Sequence, residues 1–148
     1  MSLSLYECSI PVFIHSLSNL NDLLEAGAQY GAEHGLEDEV LSSARLFPNM
    51  LPLTKQVQIA CDIAKRGAAR MARIEPPTDE DTETTFDQLK ARIDKTKQFL
   101  AGIQAEAING NEDNSITMQA GPNVYTFTTR DYLNSWAVPN LYFHVTTT

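Results

Sequence analysis

The 148-residue sequence lacks the residue patterns that mark several common classes of protein. Its two cysteines, Cys8 and Cys61, do not have the spacing of zinc or redox motifs, so no disulfide framework is expected. Lys and Arg number 11 against 19 Asp and Glu, a net charge of −8, which argues against nucleic-acid binding. No apolar run approaches the length of a bilayer span, and no basic residue precedes the first apolar segment. These absences predict a soluble, cytoplasmic protein with neither nucleic-acid nor membrane partners.

Several catalytic signatures are also missing. There is no glycine-rich phosphate loop, no Gly-x-Ser-x-Gly elbow and no His-Glu-x-x-His motif. The acidic stretch 109–115, "NGNEDNS", lacks the spacing and the terminal glutamate of a calcium loop, so it predicts a solvated turn. Any chemistry must therefore come from residues that no short motif groups together.

Hydrophobic periodicity predicts one domain built around four long helices. A chain of this length can bury one sizeable core. Apolar residues recur at steps of three and four over 10–31, 57–71 and 86–103, which is the stripe of an amphipathic helix. A shorter helical piece is expected within 36–46, and a fourth long helix follows residue 129.

Polar residues indicate where these helices begin. Thr54 is a plausible N-cap for the second long helix, and Thr129 for the fourth, with Asp131 in its first turn. Thr85 and Gln88 have the spacing of a capping box at the start of the third.

The segments between the helices have distinct compositions. Two prolines interrupt the apolar run 47–53, "FPNMLPL", so it should be irregular. Residues 75–85, "EPPTDEDTETT", form an acidic connector. Over 115–127, β-prone runs flank "AGPN", which predicts a small hairpin before the last helix.

The last helix carries two polar residues on its core-facing stripe. Asn140 and His144 lie one turn apart, in line with Ala137, and Trp136 borders them. Because a buried polar group without a partner costs about 1–3 kcal/mol, both should have specific neighbours or line a wet pocket. Pro139 either kinks this helix beside them or begins a new one. A hydrogen-bonded core histidine is the alternative interpretation.

Gln58 and Asp62, one turn apart on the second long helix, are the candidate partners of His144. A carboxylate beside the imidazole would fix its tautomer and raise its pKa. Alternatively, Asp62 pairs with Lys65 or Arg66 at the surface. Three further residues are expected to have no role in a site: His15 and His34 as exposed side chains, and Cys61 as a packed thiol.

Four phrases together carry a resemblance that covers nearly the whole chain in order. They are "SIPVFIHSLSNLNDLLEAG", "ARLFPNMLPLTKQVQIACDIAK", "IEPPTDEDTETTFDQLKARIDKT" and "RDYLNSWAVPNLYFHVTTT". The sequence resembles a family of unknown function within the DinB/YfiT-like superfamily. The resemblance implies an all-α, four-helix bundle with up-down-down-up topology, frequently dimeric. Better-known relatives bind a divalent metal and include thiol-dependent transferases and hydrolases.

Those metal-binding relatives use one histidine from the second long helix and two histidines, four residues apart, from the last. Here the last-helix pair is Asn140 and His144, and the second helix offers Gln58 or Asp62 but no histidine. Only His144 matches by residue type, so the three-histidine metal site is not intact.

Three functional hypotheses follow, and the sequence leaves open whether the protein is an enzyme. The first is a bundle protein with no cofactor that binds a small molecule or partner near His144, using Asn140, Trp136, Gln58, Tyr142 and Asp62. The second is a hydrolase or transferase in which His144 and Asp62 bind zinc, nickel or iron. The third is a metal-free enzyme with His144 as general base, oriented by Asp62.

The chain is also expected to form a homodimer. Ile59 and Ile63 lie nearly opposite the small-residue stripe of the second long helix. That helix is therefore either central in the bundle or part of a subunit interface.

Overall fold

Helices make up most of the structure, a computed structural model that describes residues 3–148. The bounds of the first four are α1 Ile10–His34, α2 Asp38–Ser42, α3 Leu53–Ala72 and α4 Phe86–Ala101. A short 3₁₀ turn, Ala105–Ala107, and a β-hairpin then precede the last helical segment. The order of elements is the one that the sequence predicts.

The last helical segment is continuous but not uniform. It consists of α5 (Thr129–Tyr132), a π-helical turn (Leu133–Ala137) and α6 (Val138–Thr146). Pro139 lies in the first turn of α6, directly after the π-helical turn. Because proline lacks an N–H and its ring crowds the preceding turn, a widened turn at this point accommodates it. The predicted disturbance of the helix at Pro139 therefore takes the form of a π-helical turn.

Side-chain contacts define the directions of the helices. Lys90, early in α4, pairs with Glu25, late in α1, at 2.8 Å, so these helices are antiparallel. Gln56 at the start of α3 contacts His144 near the end of α6, which makes that pair antiparallel as well. The neighbours α3 and α4 run in the same direction, because Asp62 bonds to Arg92 and, three residues later on each helix, Lys65 and Lys95 both bond to Asp79. The bundle is therefore up-down-down-up, as predicted.

The connection between α3 and α4 follows from that topology. Two parallel neighbours need a connection that returns along the whole length of α3, about 30 Å for 20 residues. Residues 75–85, which we call the acidic strap, make this return along the two helices. Lys65 of α3 bonds to Asp79. Arg92 of α4 bonds to both Asp81 and Glu83, at 3.0 Å in each case.

Small side chains on α3 bring the helices together. Ala60, Ala64 and Ala68 are fully buried in the core. A Cβ atom on Gly67 would lie 3.5 Å from the ring of Phe13 and 3.6 Å from the Cβ of Ala137. α3 is therefore the central helix, in close contact with the last helical segment.

The hairpin pairs β1 (Ser115–Ala120) with β2 (Asn123–Thr128) in antiparallel register, with Ala120 opposite Asn123. The turn residues are Gly121, which has a φ of 58°, and Pro122. A left-handed φ at this position favours glycine, as expected for the "AGPN" sequence.

Two predicted helix caps are wrong by a short distance. Pro52 precedes α3, and Thr54 lies inside the helix, where its hydroxyl donates to the Ser42 carbonyl at 2.9 Å. Thr128, rather than Thr129, caps α5, because the Thr129 hydroxyl donates to the carbonyl of Asn114. In both cases the threonine hydroxyl bonds to a backbone carbonyl of a neighbouring segment instead of capping the helix.

Other predicted features are confirmed. The capping box of Thr85 and Gln88 is present at the start of α4. Asp131 lies in the first turn of α5. Over residues 3–148, no helix combines the length and the apolar character that crossing a membrane would require.

Candidate functional site

His144 is held by Gln56, a residue on the facing helix. The Nδ1 atom of His144 lies 2.7 Å from the Oε1 atom of Gln56. The Nε2 group of Gln56 in turn donates to the carbonyl of Leu51 at 3.2 Å. A carbonyl can only accept, so the side-chain group of Gln56 that faces Leu51 must be the NH₂ group. The side-chain oxygen of Gln56 must therefore face the imidazole. His144 therefore carries its proton on Nδ1 and donates it to Gln56.

This arrangement leaves Nε2 of His144 as the unprotonated ring nitrogen. Burial lowers the pKa of His144, so the neutral form prevails at pH 7. The described residues supply Nε2 with no hydrogen-bond partner, and Nε2 is not among the fully buried atoms that lack one. The ring thus presents a hydrogen-bond acceptor to its surroundings.

A cavity of about 200 Å³ is lined by residues that are hydrogen-bonded to this pair, although neither His144 nor Gln56 lines it directly. Leu51, whose carbonyl binds Gln56, lines the cavity on one side. Thr148, whose hydroxyl donates to the His144 carbonyl at 2.9 Å, lines it on the other. We call this space the end cavity, since it lies where α3 begins and α6 ends.

Asn140 and Tyr142 have different surroundings. The side-chain amide of Asn140 donates to the carbonyl of Trp136 at 2.7 Å. This bond satisfies a carbonyl of the π-helical turn, so the polar group on the core stripe has a structural partner. The side chain of Tyr142 is 49% exposed.

Asp62 does not meet His144. Its Oδ1 atom lies 3.0 Å from Arg92 and 3.2 Å from Lys65, and its Oδ2 atom lies 2.9 Å from Arg66. The alternative pairing with Lys65 and Arg66 is therefore the observed one, extended by Arg92. An aspartate bound to three cations neither orients an imidazole 82 residues away nor acts as a free metal ligand.

Gln58 is buried on α3 and bonds to the acidic strap. Its Nε2 group donates to Glu83 at 2.8 Å, while its Oε1 atom is buried without a partner. It is Gln56, two residues earlier, that contacts His144.

Asp62 and Trp136 come together in a second cavity, of about 240 Å³, between α3, β1 and the last helical segment. We call it the arginine cavity, and its walls include Ile59, Asp62, Ile63, Arg66, Arg70 and Trp136. Of the residues that the sequence assigns to one pocket, Asp62 and Trp136 line the arginine cavity and Gln58 lines a cavity beside the acidic strap. His144, Asn140 and Tyr142 line neither the arginine cavity nor the end cavity.

The remaining sequence predictions concern residues outside a site. His15 and His34 are exposed, as expected. Cys61 is fully buried, and burial raises the pKa of its thiol to about 12, as expected of a packed side chain.

The residues around His144 do not fit a divalent transition metal. Zinc, nickel and iron sites usually have three firm protein ligands, drawn from imidazole, thiolate and carboxylate groups. His144 is accompanied by Gln56 and Asn140, whose amides are already hydrogen-bonded. Across residues 3–148, no group of three or more His, Cys, Asp and Glu side chains is placed to hold an ion.

Sequence reasoning missed Gln56 and Arg70. Gln56 precedes Ala60 and Ala64 at steps of four, on the stripe of small buried residues. That spacing was the available signal, because small residues mark the face where a neighbouring helix comes close. No sequence pattern distinguishes Arg70 from the other basic residues of α3.

Comparisons with known proteins agree with the fold. Residues 5–148 match a family described as a domain of unknown function, DUF1993. A solved structure of a DinB family member protein from Shewanella denitrificans superimposes with a TM-score of 0.86 at 31% sequence identity. The match covers 97% of this chain and 81% of that chain. No protein of curated function matches the sequence significantly. The chain belongs to the DUF1993 family and has the DinB-like bundle fold.

Proposed function

We propose that this protein binds a small molecule beside the end cavity, through the Nε2 atom of His144 and without a metal. The observation that carries the proposal is the chain of hydrogen bonds from Leu51 through Gln56 to His144. It fixes one tautomer and leaves an acceptor open. A ligand for this site must therefore supply an N–H or O–H donor.

The size of the end cavity limits the ligand. At about 200 Å³ it is smaller than the roughly 300–1,000 Å³ of sites for drug-sized molecules. Leu51 and Leu53 provide apolar walls, and the hydroxyls of Thr147 and Thr148 lie close to the His144 carbonyl. A compact amide or alcohol with a short apolar part fits this combination.

Metal binding at His144 is a second candidate, favoured by one observation. A metal-ligating histidine usually donates its other ring N–H to an oxygen acceptor, as Nδ1 of His144 does to Gln56. The neighbouring amides argue against it, since they are weak ligands for zinc, nickel or iron. Asp62, the other metal ligand that the sequence suggests, is bound to three cations.

The acceptor can be tested with two matched probes, 2-pyrrolidone and N-methylpyrrolidone, which differ by one N–H. We expect 2-pyrrolidone to shift the NMR signals of the His144 ring saturably, with an affinity at least tenfold above that of the methylated probe. His144→Ala, read from the backbone amide signals of Leu51 and Thr148, should abolish the difference while changing the melting temperature little. His34→Ala, at an exposed histidine, is the matched control.

Two results would contradict the proposal. Equal responses to both probes would show that Nε2 makes no selective contact. Near-stoichiometric zinc, nickel or iron in protein purified without chelator or histidine tag, lost in His144→Ala, would favour the metal site instead.

The wider setting of this function is also a proposal. Both cysteines are free thiols, which supports a cytosolic location. The homodimer stays a prediction, and so do the contributions of Asn140 and Tyr142 to ligand binding.

A further inference from the structure

We infer that the arginine cavity is a second binding site, for a small organic carboxylate with an aromatic or branched apolar body. This inference goes beyond the proposed function, because the arginine cavity and the end cavity share no lining residue. It depends on Arg70, on the buried tyrosine that holds it, Tyr132, and on the apolar part of the cavity lining.

In the part of the chain that the structure describes, Arg70 is the one basic residue of α3 and α4 that forms no ion pair. Every other Lys and Arg of α3 and α4 forms an ion pair, namely Lys55, Lys65, Arg66, Lys90, Arg92, Lys95 and Lys97. Within residues 3–148, Arg70 has no acidic partner, although Asp and Glu outnumber Lys and Arg by 19 to 11. Its guanidinium therefore has unused donors at the wall of a cavity.

A buried tyrosine holds that guanidinium in place. The Nη1 group of Arg70 donates to the hydroxyl of Tyr132 at 3.1 Å, and its Cζ atom lies 5.8 Å from the ring centroid. Tyr132 is 1% exposed and also lines the cavity. Its hydroxyl accepts from Arg70, so its own proton stays available to a ligand. A positioned guanidinium can bind a carboxylate with two parallel N–H bonds.

The rest of the lining includes apolar side chains that are fixed by their neighbours. The half-buried ring of Trp136 packs at 5.4 Å from Tyr125 and 6.1 Å from Phe127 of the hairpin. Ile59 and Ile63, both half-buried, continue this apolar lining along α3. An aromatic or branched group placed here would be removed from water on several sides.

The charge balance favours a carboxylate over a phosphate. Arg66 lines the cavity but is paired with Asp62 at 2.9 Å, so Arg70 alone carries an uncompensated charge. Asp62 is already bound to three cations, so it adds no uncompensated charge to the wall. A single free guanidinium matches the charge of a monoanion better than that of a dianion.

Trp136 provides the measurement, since it is the only tryptophan of the chain. Its fluorescence can be titrated with phenylacetate, with the neutral analogue phenylacetamide and with phenyl phosphate. We expect saturable quenching by phenylacetate and at least tenfold weaker binding of phenylacetamide. Phenyl phosphate should bind more weakly than phenylacetate at pH 7.5.

Two arginine variants test the role of Arg70. Arg70→Gln should weaken phenylacetate binding at least tenfold. Arg73→Gln removes the same charge from an exposed residue that does not line the cavity, so it should change the affinity less than twofold. Melting temperatures would show that both variants fold, and the comparison of the three probes on the wild type needs no variant.

Several outcomes would overturn the inference. They are no saturable response to phenylacetate, equal binding of phenylacetamide, tighter binding of phenyl phosphate, or equal affinities of Arg70→Gln and Arg73→Gln. A dimer that Ile63→Asp dissociates would also overturn it, since a second copy would then cover the cavity. None of these outcomes bears on the pyrrolidone test at His144.

Discussion

At the scale of single residues, the tautomer of His144 depends on the amide of Gln56. An amide presents its oxygen to Nδ1 only because its nitrogen donates to Leu51. A carboxylate at the same position has no N–H for Leu51 and carries a charge. It would therefore favour the imidazolium, whose two nitrogens are both donors.

Gln56→Glu should raise the pKa of His144 from its present lowered value to above the usual 6.5, since the opposite charge would outweigh burial. An NMR titration of the histidine ring signals would measure this change. The selectivity for 2-pyrrolidone should disappear at pH values below the new pKa, because Nε2 is then protonated and becomes a donor. Gln104→Glu, at an exposed residue, should leave the titration of His144 unchanged. A His144 pKa that stays low in Gln56→Glu would mean that the two side chains are not in contact.

At the scale of elements, the acidic strap is fixed by a buried ion pair. The side chains of Lys65 and Asp79 are 2% and 8% exposed, and Lys95 bonds to the second carboxylate oxygen of Asp79. Burial alone would raise the pKa of Asp79, but the hydrogen bonds and charges of Lys65 and Lys95 hold it at about 2. Removing Asp79 would leave the buried Lys65 with Asp62 as its remaining carboxylate, and that carboxylate is already shared with Arg66 and Arg92.

Asp79→Asn should lower the free energy of unfolding by about 2 kcal/mol, the equivalent of the pKa shift, or by more if Lys65 stays buried and charged. Urea denaturation at pH 7 would measure it. Asp94→Asn makes the same chemical change at an aspartate that is 62% exposed and 3.9 Å from Lys97, and it should cost less than about 0.5 kcal/mol. Equal losses in the two variants would show that the strap is not fixed through Asp79.

The elements and their order were predictable because each has a local signal. Periodicity marks the long helices, the capping box marks Thr85, and "AGPN" marks the hairpin turn. The positions of Thr54 and Thr129 were misjudged because their hydroxyls bond to carbonyls of other segments. The same limit applies to the site: Gln56 meets His144 across 88 residues, and nothing local in either segment specifies that contact.

At the scale of the whole molecule, parallel α3 and α4 explain how the charges are distributed. The topology requires a long return between them, and the acidic strap fills it. Together with Asp62, its carboxylates neutralise Lys65 and Arg92, whose charges are buried between the two helices. With a net charge of −8, most of the remaining acidic residues lie at the surface. Every Lys and Arg of α3 and α4 except Arg70 is therefore paired with a carboxylate of the described residues.

Stability should therefore fall in two steps as the pH is lowered. The pKa of His144 is lowered on folding, so the unfolded chain binds its proton first, and stability is lost as the pH falls below about 6.5. The pKa of Asp79 is also lowered, to about 2, so its contribution is present above pH 3.8 and is lost as the pH falls from there towards 2. Melting temperatures recorded from pH 8 to pH 2 should show both losses.

Replacing His144 or Asp79 should remove or reduce only the loss of stability that is assigned to that residue. His144→Gln should remove the loss near pH 6, whereas His34→Gln, at an exposed histidine, should preserve it. Asp79→Asn should reduce the loss below pH 4, from a lower starting stability, and Asp94→Asn should not. A single acid transition that neither His144→Gln nor Asp79→Asn alters would contradict the assignment. The general repulsion of a chain that becomes positively charged in acid would then account for unfolding without either buried contact.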